Sequence, residues 1–298
     1  VRSLNELPDN LEADGNVSMI NVKLANPLTL FELTAKVQEL SVLPHVVFKV
    51  LELTQSVETS ASEIERVIIV DPGFSSKVLV LANSASFGLP KRVTSIREAV
   101  GYLGFRHLRN VALTVGAYDL FVGKTDRESL RRREWWRHSI DTAVTARWLA
   151  SKTLRLPADE AYTCGLLHQI GKTLIDRYAA ADYERVMTMT RTGMADYVAE
   201  RQFYGYDHSD VAAAAVEKWG LPETLQSALR YLTAPEPSDI AGNHRACLAM
   251  STWLARRVKG VSDPSPEWAV QLMGFEEDAL DGLTQSCAEF LADNELRM

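Results

Sequence analysis

Gly165-Leu166-Leu167-His168-Gln169-Ile170-Gly171-Lys172 is the stretch on which the reading of this chain turns. It sets an imidazole directly before a carboxamide, with a glycine three residues away on either side of the histidine. A carboxylate in the second position would give a divalent metal two ligands and a compensating charge. Gln169 can coordinate a hard cation through its carbonyl oxygen, but it brings no negative charge. Glycine inside a helix costs roughly 1 kcal/mol relative to alanine. Two of them in one apolar helical segment predict close approach of another backbone, or a pocket, at this place.

Two further histidines fall in helical contexts. His138 lies in Trp135-Trp136-Arg137-His138-Ser139, early in a predicted helix, and His208 opens a later one in Gly205-Tyr206-Asp207-His208-Ser209. Adjacent antiparallel helices would bring His138 and His168 together, and imidazoles on facing helices are a usual way to hold a metal in a bundle. Spacing alone does not establish proximity: a buried His168 and Gln169 that hydrogen-bond their neighbours satisfy the same pattern. Cys164, one turn before His168, is read as a buried structural thiol rather than as half of a Cys–His nucleophile pair.

The composition fits a folded, non-membrane domain. Hydrophobic residues make up 46% and charged residues 24% of 298 residues, enough for a real core in one large or two ordinary domains. A net charge of -7 argues against a general nucleic-acid binder. The run Arg131-Arg132-Arg133 is read as a solvated helix start or loop rather than a phosphate contact. The three cysteines, Cys164, Cys247 and Cys287, are widely spaced, which fits a reducing cytoplasm better than a disulfide framework. No apolar run approaches the ~20 residues of a membrane span. The opening residues, beginning at Val1, show no basic-then-apolar signal pattern.

Residues 1–26 are polar, acidic and without periodicity, and are expected to be a tail or linker. From Leu28 the pattern is helical, with no convincing strand, so the expected class is all-α. Ser60-Ala61-Ser62-Glu63 is a capping box, Asp71-Pro72 sets a cap before a first-turn proline, and Ser95 with Glu98 caps another helix that Gly104 ends. Asn83 and Ser84 are expected to bond backbone at a helix end, and Trp135, Trp136 and Trp219 to pack in the core or between lobes. The polar stretch 123–133 is taken as a junction between an N-terminal helical lobe (27–122) and the histidine-bearing lobe (123–298). Helices are expected at 134–153, 158–178, 182–191, 194–202, 208–218, 222–232, 242–258, 266–273 and 276–292, with Pro235 and Pro237 in a loop.

In order along the chain stand Leu43-Pro44, Asp71-Pro72-Gly73-Phe74, Leu81-Ala82-Asn83-Ser84-Ala85, Phe87-Gly88 and Glu98-Ala99-Val100. Then come Trp136-Arg137-His138-Ser139, Gly165-Leu166-Leu167-His168, Ile170-Gly171-Lys172, Asp207-His208 and Trp219-Gly220-Leu221-Pro222. Together, from about Leu33 to Ala255, they resemble the HDOD domain, the regulatory offshoot of the HD phosphohydrolase superfamily. The resemblance implies two abutting helical bundles, the second like the HD core. It also implies a place in bacterial signalling, beside kinase, receiver or cyclic-dinucleotide modules. The chain departs from an HD enzyme at Gln169. It departs again in Ala246-Cys247-Leu248-Ala249-Met250-Ser251, where Met250 or Ser251 falls at the late Asp ligand, and at Arg230-Tyr231-Leu232, where a His pair is frequent.

These departures make His138 and His168 weak metal candidates, since two neutral imidazoles without carboxylates neither balance a dication nor orient water. The expected function is a non-enzymatic signalling scaffold with no cofactor. The vestigial site comprises His138, His168, Gln169, Lys172, His208 and Met250. The competing readings are a nucleotide or cyclic-dinucleotide sensor, with His138, His168, Gln169 and Lys172 as phosphate or base contacts, and a divergent metal-dependent phosphohydrolase.

Overall fold

The cap signals written in the sequence set the first helices. In a computed structural model, which describes residues 27–39, 43–56, 58–122, 126–153, 156–233 and 242–294, the Ser60 side chain accepts the Glu63 N–H. The Glu63 carboxylate returns to the Ser60 N–H at 2.8 Å, closing the capping box of α3 (Ala61–Ile69). Asp71 accepts the Phe74 N–H at 2.9 Å and Pro72 occupies the first turn of α4 (Pro72–Ala82). At the far end of α4, Asn83 donates to the carbonyls of Leu79 and Val93 and accepts the Val93 N–H at 2.8 Å, tying the helix end to the next loop. Ser95 starts α5 (Ile96–Phe121), which Gly104 breaks with φ 70° and ψ 173°.

Before these stand α1 (Leu30–Glu39) and α2 (His45–Leu53). After them come α6 (Asp126–Thr153), α7 (Ala158–Leu167), α8 (Ile170–Tyr178), α9 (Ala180–Thr190), α10 (Asp196–Tyr204) and α11 (His208–Lys218). The last are α12 (Glu223–Arg230), α13 (Gly242–Arg257), α14 (Glu267–Met273) and α15 (Leu280–Asp293). The protein is all-α, and no described residue lies in a strand. Helices α2–α5 pack on one another. Abutting them, α6 lies against α7 and α13, and α8 against α11. Helix α5 touches α6, α7 and α8, while α1 lies against α8 and α11, where Leu33 is fully buried. One apolar core runs from α1 to α12, and Trp136 and Trp219 belong to it with Trp135 packed alongside. A second, smaller core joins α6, α13 and α15 around Leu149, Met250 and Leu254. Among the described residues no helix is long and apolar enough to cross a membrane. The expected tail, residues 1–26, and the loop with Pro235 and Pro237 lie outside the described residues.

Three expectations are corrected. Helix α6 begins at Asp126, so residues 126–133, read as junction, are helical. Arginine and glutamate are good helix formers, so a charged stretch extends a helix without an apolar stripe of its own. The arginine run is not solvated. Arg132 is 5% exposed and donates to the Asp176 carboxylate at 2.6 Å, while Arg131 pairs with both Asp176 and Glu184; only Arg133 faces solvent. The expected helix 158–178 is two helices, since α7 ends at Leu167 and α8 starts at Ile170, with His168 and Gln169 forming the step between them.

Candidate functional site

The step between α7 and α8 exists because both flanking glycines are pressed against backbone. A Cβ on Gly165 would lie 2.6 Å from the Ala143 Cα on α6, and a Cβ on Gly171 would lie 1.9 Å from the His208 carbonyl oxygen on α11. These contacts pull α7 onto α6 and α8 onto α11, and the helix axis breaks between the two anchor points. The result gathers His138 from α6, His168 and Gln169 from the step, Lys172 from α8 and His208 from the start of α11. They line one open cleft of about 360 Å³.

The His138 and His168 rings stand edge to face, with centroids 5.1 Å apart and planes at 77°. His168 Nδ1 is 2.7 Å from the Gly165 carbonyl, which can only accept, so Nδ1 carries the proton. Its Nε2 is therefore a lone pair, buried and without a hydrogen-bond partner, and the buried Oε1 of Gln169 is likewise unpartnered. Burial pushes His168 down to about 3, with Lys172 and His208 adding to the effect and the Gly165 carbonyl opposing it. Burial, reinforced by His168 and Lys172, also holds His138 well below its ordinary range. Both imidazoles are neutral at physiological pH.

His208 is held differently. Asp207 caps α11 by accepting the N–H groups of Ser209 and Asp210, and it also receives Arg201 and Thr233. This fixes His208 beside the fully buried Glu200, whose carboxylate accepts the His208 N–H at 2.8 Å, faces His208 Nδ1 at 2.6 Å and accepts the Tyr183 hydroxyl at 2.9 Å. Burial alone would raise the Glu200 carboxyl, but the charge and hydrogen bonds of His208 outweigh it and hold the group below its ordinary value. Glu200, eight residues before His208, was invisible in the sequence, because a glutamate in an exposed-looking helix carries no local mark of burial.

The cleft does not fit a divalent metal. The carboxylates near it are already engaged. Asp196 is paired with Lys172, whose charge before all else holds it at about 2, Glu200 is closed by its three contacts, and Asp263 is paired with Arg256 at 2.6 Å. Lys172 lines the same cleft and is paired with Asp196, so it brings positive charge to a place where a dication would need negative charge. Among the described residues, no group of three or more His, Cys, Asp or Glu side chains could hold an ion.

Met250 requires a correction. It is fully buried in the second core and does not line the cleft. Helix α13 presents Ala249, Thr252, Trp253 and Arg256 there instead, a stripe at three- and four-residue spacing. Position 250 lies about 100° around the helix from 249, which turns it toward α6. Cys164 is fully enclosed, and burial pushes its thiol up, away from nucleophilic character.

The fold is all-helical, with a histidine cleft at the step between α7 and α8. The HDOD domain family model matches residues 40–235, and the chain belongs to that family. It is similar over 88% of its length to the crystal structure of a candidate phosphohydrolase from Shewanella amazonensis, with 25% identity, 95% of that chain covered and a TM-score of 0.69. It is similar over 90% to that of an HDOD domain protein with unknown function from Geobacter sulfurreducens, with 22% identity, 98% of that chain covered and a TM-score of 0.66. An uncharacterized protein of Treponema pallidum is 30% identical over 198 residues, 63% of this chain. The match spans only 37% of that protein's length.

Proposed function

We propose that this chain is a non-enzymatic regulatory domain of bacterial signal transduction, working in the cytoplasm as a protein-interaction scaffold for kinase, receiver or cyclic-dinucleotide modules. Its lobes are residues 27–122 and 123–298, with α1 reaching from the first to pack on the second. The observation that carries this reading is the Lys172–Asp196 pair in the cleft. It gives the cleft a cation and a carboxylate already paired, whereas a metal-dependent hydrolase needs a free anionic ligand. On this reading the chain keeps the helical fold, while among the described residues the carboxylates near the cleft are paired or hydrogen-bonded. Proximity-dependent cross-linking in the source cell tests the reading. A signalling protein captured equally by the wild type and by His168→Ala supports it, and capture that needs an intact His168 contradicts it.

A second reading has its own observation. The His168 Nε2 and Gln169 Oε1 acceptors are buried without donors, an arrangement that favours a ligand presenting N–H groups, such as a nucleobase edge. Calorimetric titration with nucleotides and cyclic dinucleotides tests it. Heats abolished by Gln169→Ala support a sensor, and the absence of binding removes it.

A further inference from the structure

A second cavity, of about 400 Å³, lies away from the histidine cleft, between α5, the start of α7 and the turn from α11 into α12. Its polar wall carries Arg106 and Arg109, three residues apart on α5 and therefore on one face. Its opposite wall is apolar, built by Pro157, Leu221, Pro222 and Leu225.

The charge arrangement here is unlike that of Arg131, Arg132 and Arg147. Arg131, Arg132 and Arg147 each donate to an oxygen. Among the described residues Arg106 and Arg109 make no hydrogen bond or ion pair, and Arg109 Nη2 is buried with no acceptor. Glu160 acts on Arg109 only through its charge, and burial lowers the guanidinium's affinity for its proton. The two acids on the rim are already committed. Asp159 accepts Asn110 Nδ2 at 3.0 Å and faces His107 Nε2 at 3.7 Å, and Glu160 bonds His244 Nε2 at 2.8 Å. Thr163 donates to Asn110 Oδ1 at 3.1 Å, which holds that amide with its NH2 turned to Asp159. The acids are thus tied back by neighbours, while Arg106 and Arg109 line the cavity without a partner of their own.

A guanidinium presents a planar array of donors that suits phosphate oxygens, and a buried N–H without an acceptor is costly to leave so. Two guanidinium groups on one face, one of them with a buried unpartnered N–H, match a dianion better than a single carboxylate. The apolar wall has the area to cover an organic body, and the volume is at the lower end for small-ligand pockets. We propose that this cavity binds a small phosphate monoester, its phosphoryl oxygens on Arg106 and Arg109 and its organic part against Leu221 and Pro222. Because the walls come from segments far apart in sequence, such a ligand would clamp α5 to α7 and α12, giving a regulatory domain an input separate from the histidine cleft.

Calorimetric titration of the full chain at low salt tests this, using 5′-AMP and glucose 6-phosphate beside adenosine and glucose as their dephosphorylated counterparts. At least one phosphate ester is expected to bind one-to-one with Kd under about 1 mM. Its affinity should exceed that of its counterpart by about tenfold or more. Arg109→Gln should weaken it by about tenfold and Arg106→Gln, on the exposed rim where folding is not at risk, by about fivefold. Lys172→Gln, in the other cleft, should leave it within about twofold. No binding by either ester, equal binding of a dephosphorylated counterpart, or affinity lost in Lys172→Gln but kept in both arginine variants overturns the proposal.

Discussion

Gly171 is packed so tightly against His208 that a methyl group in place of its hydrogen would sit 1.9 Å from the His208 carbonyl oxygen. Backbone cannot yield as a flexible side chain can. Gly171→Ala should therefore force α8 and α11 apart and destabilise the protein by about 3 kcal/mol, the upper end of ordinary overpacking. Gly282→Ala, in α15 with open space around it, should instead stabilise by about 0.5–1 kcal/mol. Urea denaturation of the two variants beside the wild type checks both signs.

Met250 and Gln169 separate two ways of rebuilding a metal site. Met250→Asp places a carboxylate in an apolar core and should cost about 3 kcal/mol or more without improving metal affinity. Gln169→Asp combined with Thr252→Asp adds charge on the cleft face itself and should raise zinc or manganese affinity measurably. The wild type should retain no stoichiometric iron, manganese or zinc after dialysis, which elemental analysis reads directly.

The pair of arginines on Asp176 should matter for folding. Asp176 is fully buried between Arg131 and Arg132. Asp176→Asn removes the buried anion that Arg131 and Arg132 share, with Glu184 still on Arg131, and should cost about 3 kcal/mol. Arg133→Glu, one residue along and exposed, should change stability by less than about 0.5 kcal/mol. Thermal unfolding of the two variants distinguishes a buried ion-pair network from a merely basic surface.

Acid sensitivity should begin early. His168 titrates near 6.5 when unfolded and about 3 when folded, and His138 is depressed in the same direction. A depressed folded pKa means that the unfolded chain takes up protons first as pH falls. The stability is present in full above about pH 6.5 and is lost progressively toward pH 3, by up to about 1.4 kcal/mol per pH unit for each group. Denaturation midpoints at pH 7.5, 6 and 5 should fall steadily, and His168→Gln should flatten the slope.

Much of this was legible because it is local. The caps at Ser60, Asp71 and Ser95 are written within four residues of sequence, and the glycines at 165 and 171 did mark the approach of foreign backbone. The pairing of His138 with His168 followed from neighbouring helices and is met at 5.1 Å. What failed was long-range. Arg132 looks solvated until Asp176 is brought to it from 44 residues away. The break at His168–Gln169 needs α6 and α11 in place before it appears. Met250 was assigned to the cleft by a motif's order along the chain, whereas its direction is set by rotation about α13 and by the second core.

The central claim is that the cleft performs no metal-dependent hydrolysis. Its most direct test is turnover by the purified chain on a panel of nucleotides, cyclic dinucleotides and phosphate esters, with manganese, iron, zinc or magnesium added in turn. The Lys172–Asp196 pair and the neutral Gln169 predict no metal-dependent release of product above the protein-free background. Metal-dependent turnover that disappears in His168→Ala would contradict the account.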